Sequence, residues 1–404
     1  MKRILVLSWH PKNNEIIAGG FKRAVEIINR APADFNIDII DTFPSLFKNN
    51  TKINSLYEYK IPMSIKKLED KLYIVERMLE FIFTSIILIF YALKLQKSKK
   101  YDVIYVPCGE LNYISFSAII IKFLFKNKVV LTQQNIEIHG KTMRGFYSEL
   151  RKKGYSLLHS LLLPPLTYAY RFCSILLYNK ADVIITVSKD LKNKLMEFGV
   201  KTKIEVVYNG VDYEYIQSIP NQEKKYEGIF IGRHEPEKGI FDLIEVWKYV
   251  VKSHPKAKLI LIGLCEPSVK KKIKQKLMKY NLNENIILYG VVSEGKKIKY
   301  LKQSKIIVFL SKIEGWGLVP IEGLACGLPV VAYDLSVYKE NIKNCDAAFL
   351  VPIGDYKSAA DKVIEFFNKN EKEISELSEK AKKFASIFNW NKTAIEEFEI
   401  IKGV

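Results

Sequence analysis

The 404-residue chain is 48% apolar and 26% charged, a balance that excludes a disordered or fibrous protein and allows sizeable buried cores. At roughly 100 to 200 residues per domain, its length predicts two domains. The net charge of +19 is uneven: residues 1–200 carry 30 Lys and Arg against 17 Asp and Glu, and the remainder 33 against 27. Such an excess either attracts phosphates, on lipid headgroups, nucleic acid or a nucleotide, or forms a solvated basic surface. Nucleic acid is the weaker partner, because no basic recognition helix, zinc module or interleaved aromatic and basic strand accompanies the charge. The five cysteines lie far apart with no C-x-x-C pair, and no histidines stand at ligand spacing. That argues against a disulfide framework and a metal site, and it fits a reducing cytosol.

The first residues, MKRILVLSWHPKNNE, hold an apolar run too short for a signal peptide and read as a buried strand. β-branched runs then alternate with helical segments: ILVLS (4–8), FNIDII (35–40), DVIYVP (102–107), KVVLTQ (128–133), ADVIITVS (181–188) and KIEVVYN (203–209). Continuous apolar strands between helices predict an α/β fold, with a parallel sheet covered on both faces.

Two stretches in this half are greasier. Residues 81–93 (FIFTSIILIFYAL) are 13 uncharged residues, short of the roughly 18 to 20 needed to cross a bilayer, and residues 154–170 are broken by Pro164 and Pro165. Basic residues flank both: Lys94, Lys97, Lys99 and Lys100, and Arg151, Lys152 and Lys153. Two readings stand side by side, interfacial helices on an anionic membrane surface or core helices packed on the sheet.

After a polar patch at 218–227 the strand pattern restarts: YEGIFIG (226–232), AKLILIG (257–263), NIILYG (285–290), KIIVFLS (305–311) and PVVAY (329–333). The chain therefore reads as two similar units, 1–210 and 211–386. Ligands are expected in a cleft between them, at the carboxyl ends of strands.

Two strand–loop–helix motifs fall in the second unit. In IFIGRHEPEKGI (229–240) a strand ends at Gly232, and Arg233 and Lys238 follow before a helix beginning near Phe241. A planar fork and a point charge near a helix N-terminus make an anion site suited to a diphosphate. The alternative is a solvated loop with two surface cations. In KIEGWGLVPIEGLACGLPVV (312–331), Gly315 and Gly317 let backbone amides approach a ligand, and Pro320 suits a first helical turn. Glu314 in the loop and Glu322 on the helix are placed to accept hydrogen bonds from vicinal hydroxyls, such as those of a sugar and a ribose. The alternative is one surface glutamate and one at a helix dipole. Trp316 is expected to pack beneath this loop.

GVVSEGKK (290–297) nearly spells a phosphate loop, but Lys297 stands where Ser or Thr would ligate magnesium, which disfavours a kinase or ATPase. The first strand lacks G-x-G-x-x-G, which disfavours a dinucleotide oxidoreductase.

E-G-W-G-L-x-P-x-E-G-L-A-C-G-L-P-V-V closely resembles the E-x7-E signature of retaining, nucleotide-sugar-dependent glycosyltransferases of the GT-B fold, family 4 or glycosyl transferases group 1. Gly232, Arg233, Lys238 and Gly239 match that family's upstream diphosphate motif. Further similarities run through Gly19 and Gly20, VSKDLKNKL (187–195), VVYNGVD (206–212), 290–311 and FNWNKTAIEEFE (388–399). The resemblance implies two Rossmann-like domains facing across a cleft, 1–210 receiving the acceptor and 211–386 the donor, with a helix at 387–404 returning to the first. It implies that Glu322 binds the nucleotide ribose, and that Arg233 and Lys238 hold the diphosphate as charge develops on departure. Glu314 would contact the donor sugar, and the amides of Gly317 and Leu318 the sugar or phosphate, with Gly19 and Gly20 keeping an N-terminal loop close. The partners implied are a nucleotide sugar and a glycan, glycolipid or lipid-linked acceptor, with no cofactor and a dispensable metal. The setting would be the cytoplasm, at the inner face of the membrane.

One departure concerns a histidine usual in this family after the fourth N-terminal strand. This chain has Gln134 there, with His139 five residues on. Gln134 can donate a hydrogen bond but cannot act as a base. A nucleotide-sugar-binding protein without catalysis, or a basic nucleic-acid binder, are the alternatives.

Overall fold

The structure, a computed structural model, describes residues 1–9, 19–47, 53–60, 73–109, 112–135, 165, 169 and 171–404. These residues form two compact units, one running to Val207 and taking in Ala394–Val404, the other comprising Tyr208–Thr393.

The first unit is built on a seven-stranded parallel sheet. Its strands are β1 (Lys2–Leu7), β2 (Phe35–Asp41), β3 (Ile53–Glu58), β4 (Val103–Val106), β5 (Lys128–Gln133), β6 (Val183–Thr186) and β7 (Lys203–Val206), in the order β3-β2-β1-β4-β5-β6-β7. β1 is central, with Ile4 beside Ile37 on one side and Val103 on the other. Its core positions Ile4–Leu7 are fully buried, as expected of a strand covered on both faces.

The two faces carry different helices. α2 (Tyr73–Lys99) and α3 (Asn112–Phe125) share a core with Leu5, Leu7, Ile104, Val106 and Leu131. The opposite face carries α1 (Gly19–Asn29) and the returning segment Ala394–Val404. There Arg23 and Glu397 form a fully buried ion pair. Glu397 also accepts from the Tyr105 hydroxyl at 2.6 Å and from Thr132 Oγ1 at 2.7 Å. Two strands and one helix thus converge on one carboxylate, and burial together with that negative charge pushes the Tyr105 phenol well above its ordinary pKa.

The second unit has a six-stranded parallel sheet: β8 (Tyr226–Ile231), β9 (Leu259–Ile262), β10 (Ile286–Leu288), β11 (Ser304–Phe309), β12 (Val330–Tyr333) and β13 (Ala348–Val351), in the order β10-β9-β8-β11-β12-β13. Trp247, on the helix Ile240–Ser253, is wholly buried against this sheet, where a Cβ on Gly228 would meet its ring at 2.6 Å.

Two sequence expectations need correction. β3 and β13 are strands that the apolar-run reading did not include. Both are sheet edges with mixed burial; β3 (INSLYE) mixes polar with apolar residues, and β13 (AFLV) is apolar but only four residues long. The stretch 81–93 is also longer than expected: α2 has 27 residues, and its Phe81–Lys99 portion is long and apolar enough, by length and composition, to cross a membrane. The lysines of its last turns end the apolar run but not the helix, since Lys is a good helix former and suits a C-terminus. Most of the stretch 154–170 lies outside the described residues.

Candidate functional site

β8 and β11 are neighbours at the centre of the second sheet, and the chain moves away from them in opposite directions, through β9 and β10 on one side and β12 and β13 on the other. Loops leaving the carboxyl ends of strands at such a reversal part to leave a crevice, the usual ligand position in open α/β sheets. Both motif loops start there.

The loop after β8 begins at Gly232. Arg233 is 60% exposed, its guanidinium 3.0 Å from Glu235. Such a surface pair is held weakly enough to be exchanged for a ligand anion. A 3-10 turn over Pro236–Lys238 then delivers Lys238, and Gly239, at φ 73°, caps the helix Ile240–Ser253. Only glycine fits at this cap, because a Cβ would meet the Leu310 carbonyl oxygen at 1.9 Å as well as requiring a left-handed backbone. That contact presses the first loop against the end of β11.

The loop after β11 is stitched to the first. Lys312 N–H donates to the Glu237 carbonyl at 2.8 Å, and Lys238 Nζ lies 2.6 Å from Glu314 Oε1, both side chains largely shielded from solvent. Trp316 is buried, stacked on Tyr208 at 4.9 Å, and its carbonyl accepts from Asn341 Nδ2 at 2.5 Å. The expected packing of this ring beneath the loop is therefore observed. Gly317, at φ 86°, precedes the helix Leu318–Ala325 without a side-chain cap. The N–H groups that open this helix, beginning with Leu318, are therefore not engaged by a cap side chain, and they carry the positive end of the helix dipole. Gly315 is buried between Glu314 and Trp316. The tight approach at Gly317 is from Tyr338, whose ring would lie 2.7 Å from an added Cβ. Gly317 therefore serves the loop's own packing as well as any close approach by a ligand.

Glu322 is 2% exposed on the second turn of that helix. Lys297 Nζ, from the helix Glu294–Lys302, lies 2.7 Å from its Oε2 and also 2.9 Å from Glu294. Each glutamate of the E-x7-E stretch thus has its own lysine: Lys238 for Glu314 and Lys297 for Glu322. Sequence reasoning placed Lys238 in the site and set Lys297 aside with the rejected phosphate loop. The available signal was a basic residue on the helix of the strand–helix unit immediately preceding β11.

His234 lies inside the diphosphate motif, 2% exposed, with neither ring nitrogen hydrogen-bonded. Burial lowers its pKa to about 4, so it is a neutral, space-filling ring against Phe230, 6.0 Å away between centroids. Gly19 and Gly20 open α1. Gln134 follows β5, buried, with Nε2 donating to the Pro107 carbonyl at 3.1 Å. His139 lies outside the described residues. No group of three or more His, Cys, Asp or Glu is poised to hold a metal among the described residues.

Residues 212–384 match the family described as Glycosyl transferases group 1, and residues 73–215 match Glycosyltransferase Family 4. An uncharacterized glycosyltransferase of Methanocaldococcus jannaschii is 32% identical over 52% of this chain and 57% of its own length. The capsular polysaccharide biosynthesis glycosyltransferase CapM of Staphylococcus aureus is 28% identical over 59% of this chain and 62% of its own. The chain thus spans less than two thirds of the length of either relative. The solved structure of HepE from Anabaena in complex with UDP covers 100% of both chains with a TM-score of 0.71 at 16% identity, a likeness of fold. Paired parallel sheets, the two motif loops at a strand-order reversal and both family matches agree: the chain belongs to the group 1, family 4 glycosyltransferases, which have the GT-B fold.

Proposed function

We propose that the protein transfers a sugar from a nucleotide diphosphate sugar to a glycan, glycolipid or lipid-linked acceptor, with retention of anomeric configuration, in the cytoplasm at the inner membrane face. The observation that carries this reading is the pair of Glu–Lys contacts at the reversal between β8 and β11, Lys238 with Glu314 and Lys297 with Glu322. A cation beside each carboxylate keeps a preformed set of acceptors and donors in a partly dry site, where electrostatic contacts are stronger than in water. The complex of HepE with UDP and the part that CapM's name gives it in capsular polysaccharide biosynthesis support the same donor and acceptor classes.

In this reading Glu322 accepts from the ribose hydroxyls, and Glu314 accepts from a hydroxyl of the sugar. Arg233 and Lys238 bind the diphosphate and stabilise the negative charge that grows on it as the glycosidic bond breaks. The amides of Gly317 and Leu318 add the positive end of a helix dipole. The acceptor attacks from the leaving-group face, and a phosphate oxygen takes its proton, which gives retention. Three cationic groups, Arg233, Lys238 and the helix N-terminus, supply the charge that a divalent metal would otherwise bring, so transfer proceeds without one.

Thermal stabilisation by UDP-, GDP- and ADP-sugars identifies the donor, because a ligand that binds only the folded state raises its stability. Incubation of that donor with glycan and lipid-linked acceptors, with the product anomer read by NMR and chelator added in parallel, then tests transfer, retention and metal independence. Binding without turnover on any acceptor would leave a non-catalytic nucleotide-sugar protein and overturn the enzymatic reading.

A further inference from the structure

α2 buries a side of mixed polar and apolar residues and exposes an apolar stripe. Thr84, Ser85, Leu88, Ala92, Leu95 and Gln96 face the core. Ile82, Phe83, Ile86 and Phe90 are 42–63% exposed. At about 100° per residue these four side chains fall within one arc of about 100°, opposite the buried set. Lys94 and Lys97, both exposed, continue the same stripe toward the helix C-terminus. Lys99, by contrast, turns inward to Asp38 at 2.9 Å.

The stripe is not isolated. α3 and the helix at residues 171–178 share with α2 the core on this side of the first sheet. They expose Phe123 and Phe172, each more than 60% accessible. Several exposed aromatic and aliphatic side chains on helices that cover one face of a sheet mark an interaction surface rather than random exposure.

We propose that this face of the first unit docks on an anionic lipid bilayer, with α2 lying in the plane of the interface. Two observations select a membrane surface as the occupant. The apolar stripe runs directly into exposed lysines, the arrangement that buries side chains among acyl chains while cations meet headgroup phosphates. The excess positive charge of the chain is also concentrated in this half. Although α2 is long enough to span, it does not leave the fold. Ser85 Oγ donates to the Tyr113 carbonyl at 3.4 Å, and Gln96 bonds both Asn127 and the Tyr101 N–H at 3.0 Å. Crossing the bilayer would strip these groups of their partners in a medium that offers none. The docked helix therefore uses only its outer stripe.

This inference rests on the exposed side chains and not on the donor site, so a protein that binds vesicles yet transfers no sugar would refute the enzymatic reading and leave the docking surface intact. The full chain is floated with phosphatidylcholine vesicles, with and without phosphatidylglycerol, at low and high salt. Association with the phosphatidylglycerol vesicles is expected, falling about tenfold at high salt or without the anionic lipid. The double variant Ile86→Glu/Phe90→Glu should lose association about tenfold with an unchanged circular dichroism spectrum. Emission of a Phe90→Trp variant should shift to the blue on adding vesicles. Failure of the wild type to float, undiminished flotation of the double variant, or an unshifted tryptophan overturns the proposal. So does a dimer in sedimentation that the double variant converts to a monomer without any vesicle binding, since a second copy would then cover the stripe.

Discussion

Lys297 Nζ lies 2.7 Å from Glu322 Oε2, and the carboxylate is 2% exposed, joining two helices whose sequence positions are 25 residues apart. A buried carboxylate is tolerable when a cation and further hydrogen bonds replace its lost water, and it becomes costly when one partner is removed. Lys297→Met should therefore cost about 3 kcal/mol in urea unfolding. Adding Glu322→Gln to it should return about 0.5–3 kcal/mol of that loss, the signature of a coupled pair. Simple additivity in the double variant would show that the two side chains do not depend on each other. In the proposed site the same Lys297→Met change also weakens nucleotide binding, because Glu322 loses the partner that orients it.

Lys238 and Glu314 make the second pair, less enclosed and placed where the diphosphate would sit. In the proposed site a donor phosphate would compete with Glu314 for Lys238 and open this pair. Lys238→Ala should lower kcat/KM by about 10²–10³ while the melting temperature changes little, since the pair is partly solvated and such pairs add little stability. Glu322→Ala should likewise abolish most transfer. Wild-type turnover in both variants would remove these residues from the site.

How far the sequence could be read depends on what each residue answers to. β1, β4, β8, β9, β11 and β12 are enclosed on both faces and register as unbroken apolar runs, so they were legible. β3 and β13 sit at sheet edges: half-exposed positions in β3 admit Asn, Ser and Glu, β13 is a four-residue apolar run, and the pairing of each depends on a neighbour already in place. The site divides in the same way. Gly239 is readable as a special backbone position, but the reason for it, the Leu310 carbonyl beneath, exists only once β8 and β11 lie side by side. The Lys297 partner of Glu322 leaves only a weak sequence trace, a basic residue on the helix before β11, because no local pattern connects position 297 with position 322. The placement of Arg233 and Lys238 in the loop after β8 is legible because strand, loop and helix follow one another along the chain.

Glu397 anchors the returning segment. It is fully buried, paired with Arg23 from α1, and accepts from Tyr105 on β4 and Thr132 on β5. Removing it leaves a buried guanidinium without its carboxylate, which costs about 3–5 kcal/mol. Glu397→Ala should therefore lower the stability of the first unit by that order in chemical unfolding. Arg23→Met/Glu397→Leu should recover much of it, because an apolar pair of similar volume avoids the desolvation of both charges. Equal stability of Glu397→Ala and wild type would mean that the segment is held by its apolar contacts, Phe398 against Phe35 among them.

His234 makes the molecule acid-sensitive from within the diphosphate motif. Its pKa is lowered by burial to about 4 in the fold and is near 6.5 when unfolded. The unfolded chain thus binds the proton more readily, and the folded state loses stability as pH falls below about 6.5, with the loss complete below about 4. At about 1.4 kcal/mol per unit the full effect is roughly 3 kcal/mol. His234→Phe fills the same space against Phe230 without a titrating nitrogen. It should match or exceed wild-type stability at neutral pH and flatten the decline between pH 6.5 and 4. Melting temperatures of both proteins across that window provide the measurement, with donor affinity followed in parallel, since Arg233 is the adjacent residue. Parallel curves for the two proteins would mean that the acid sensitivity originates elsewhere.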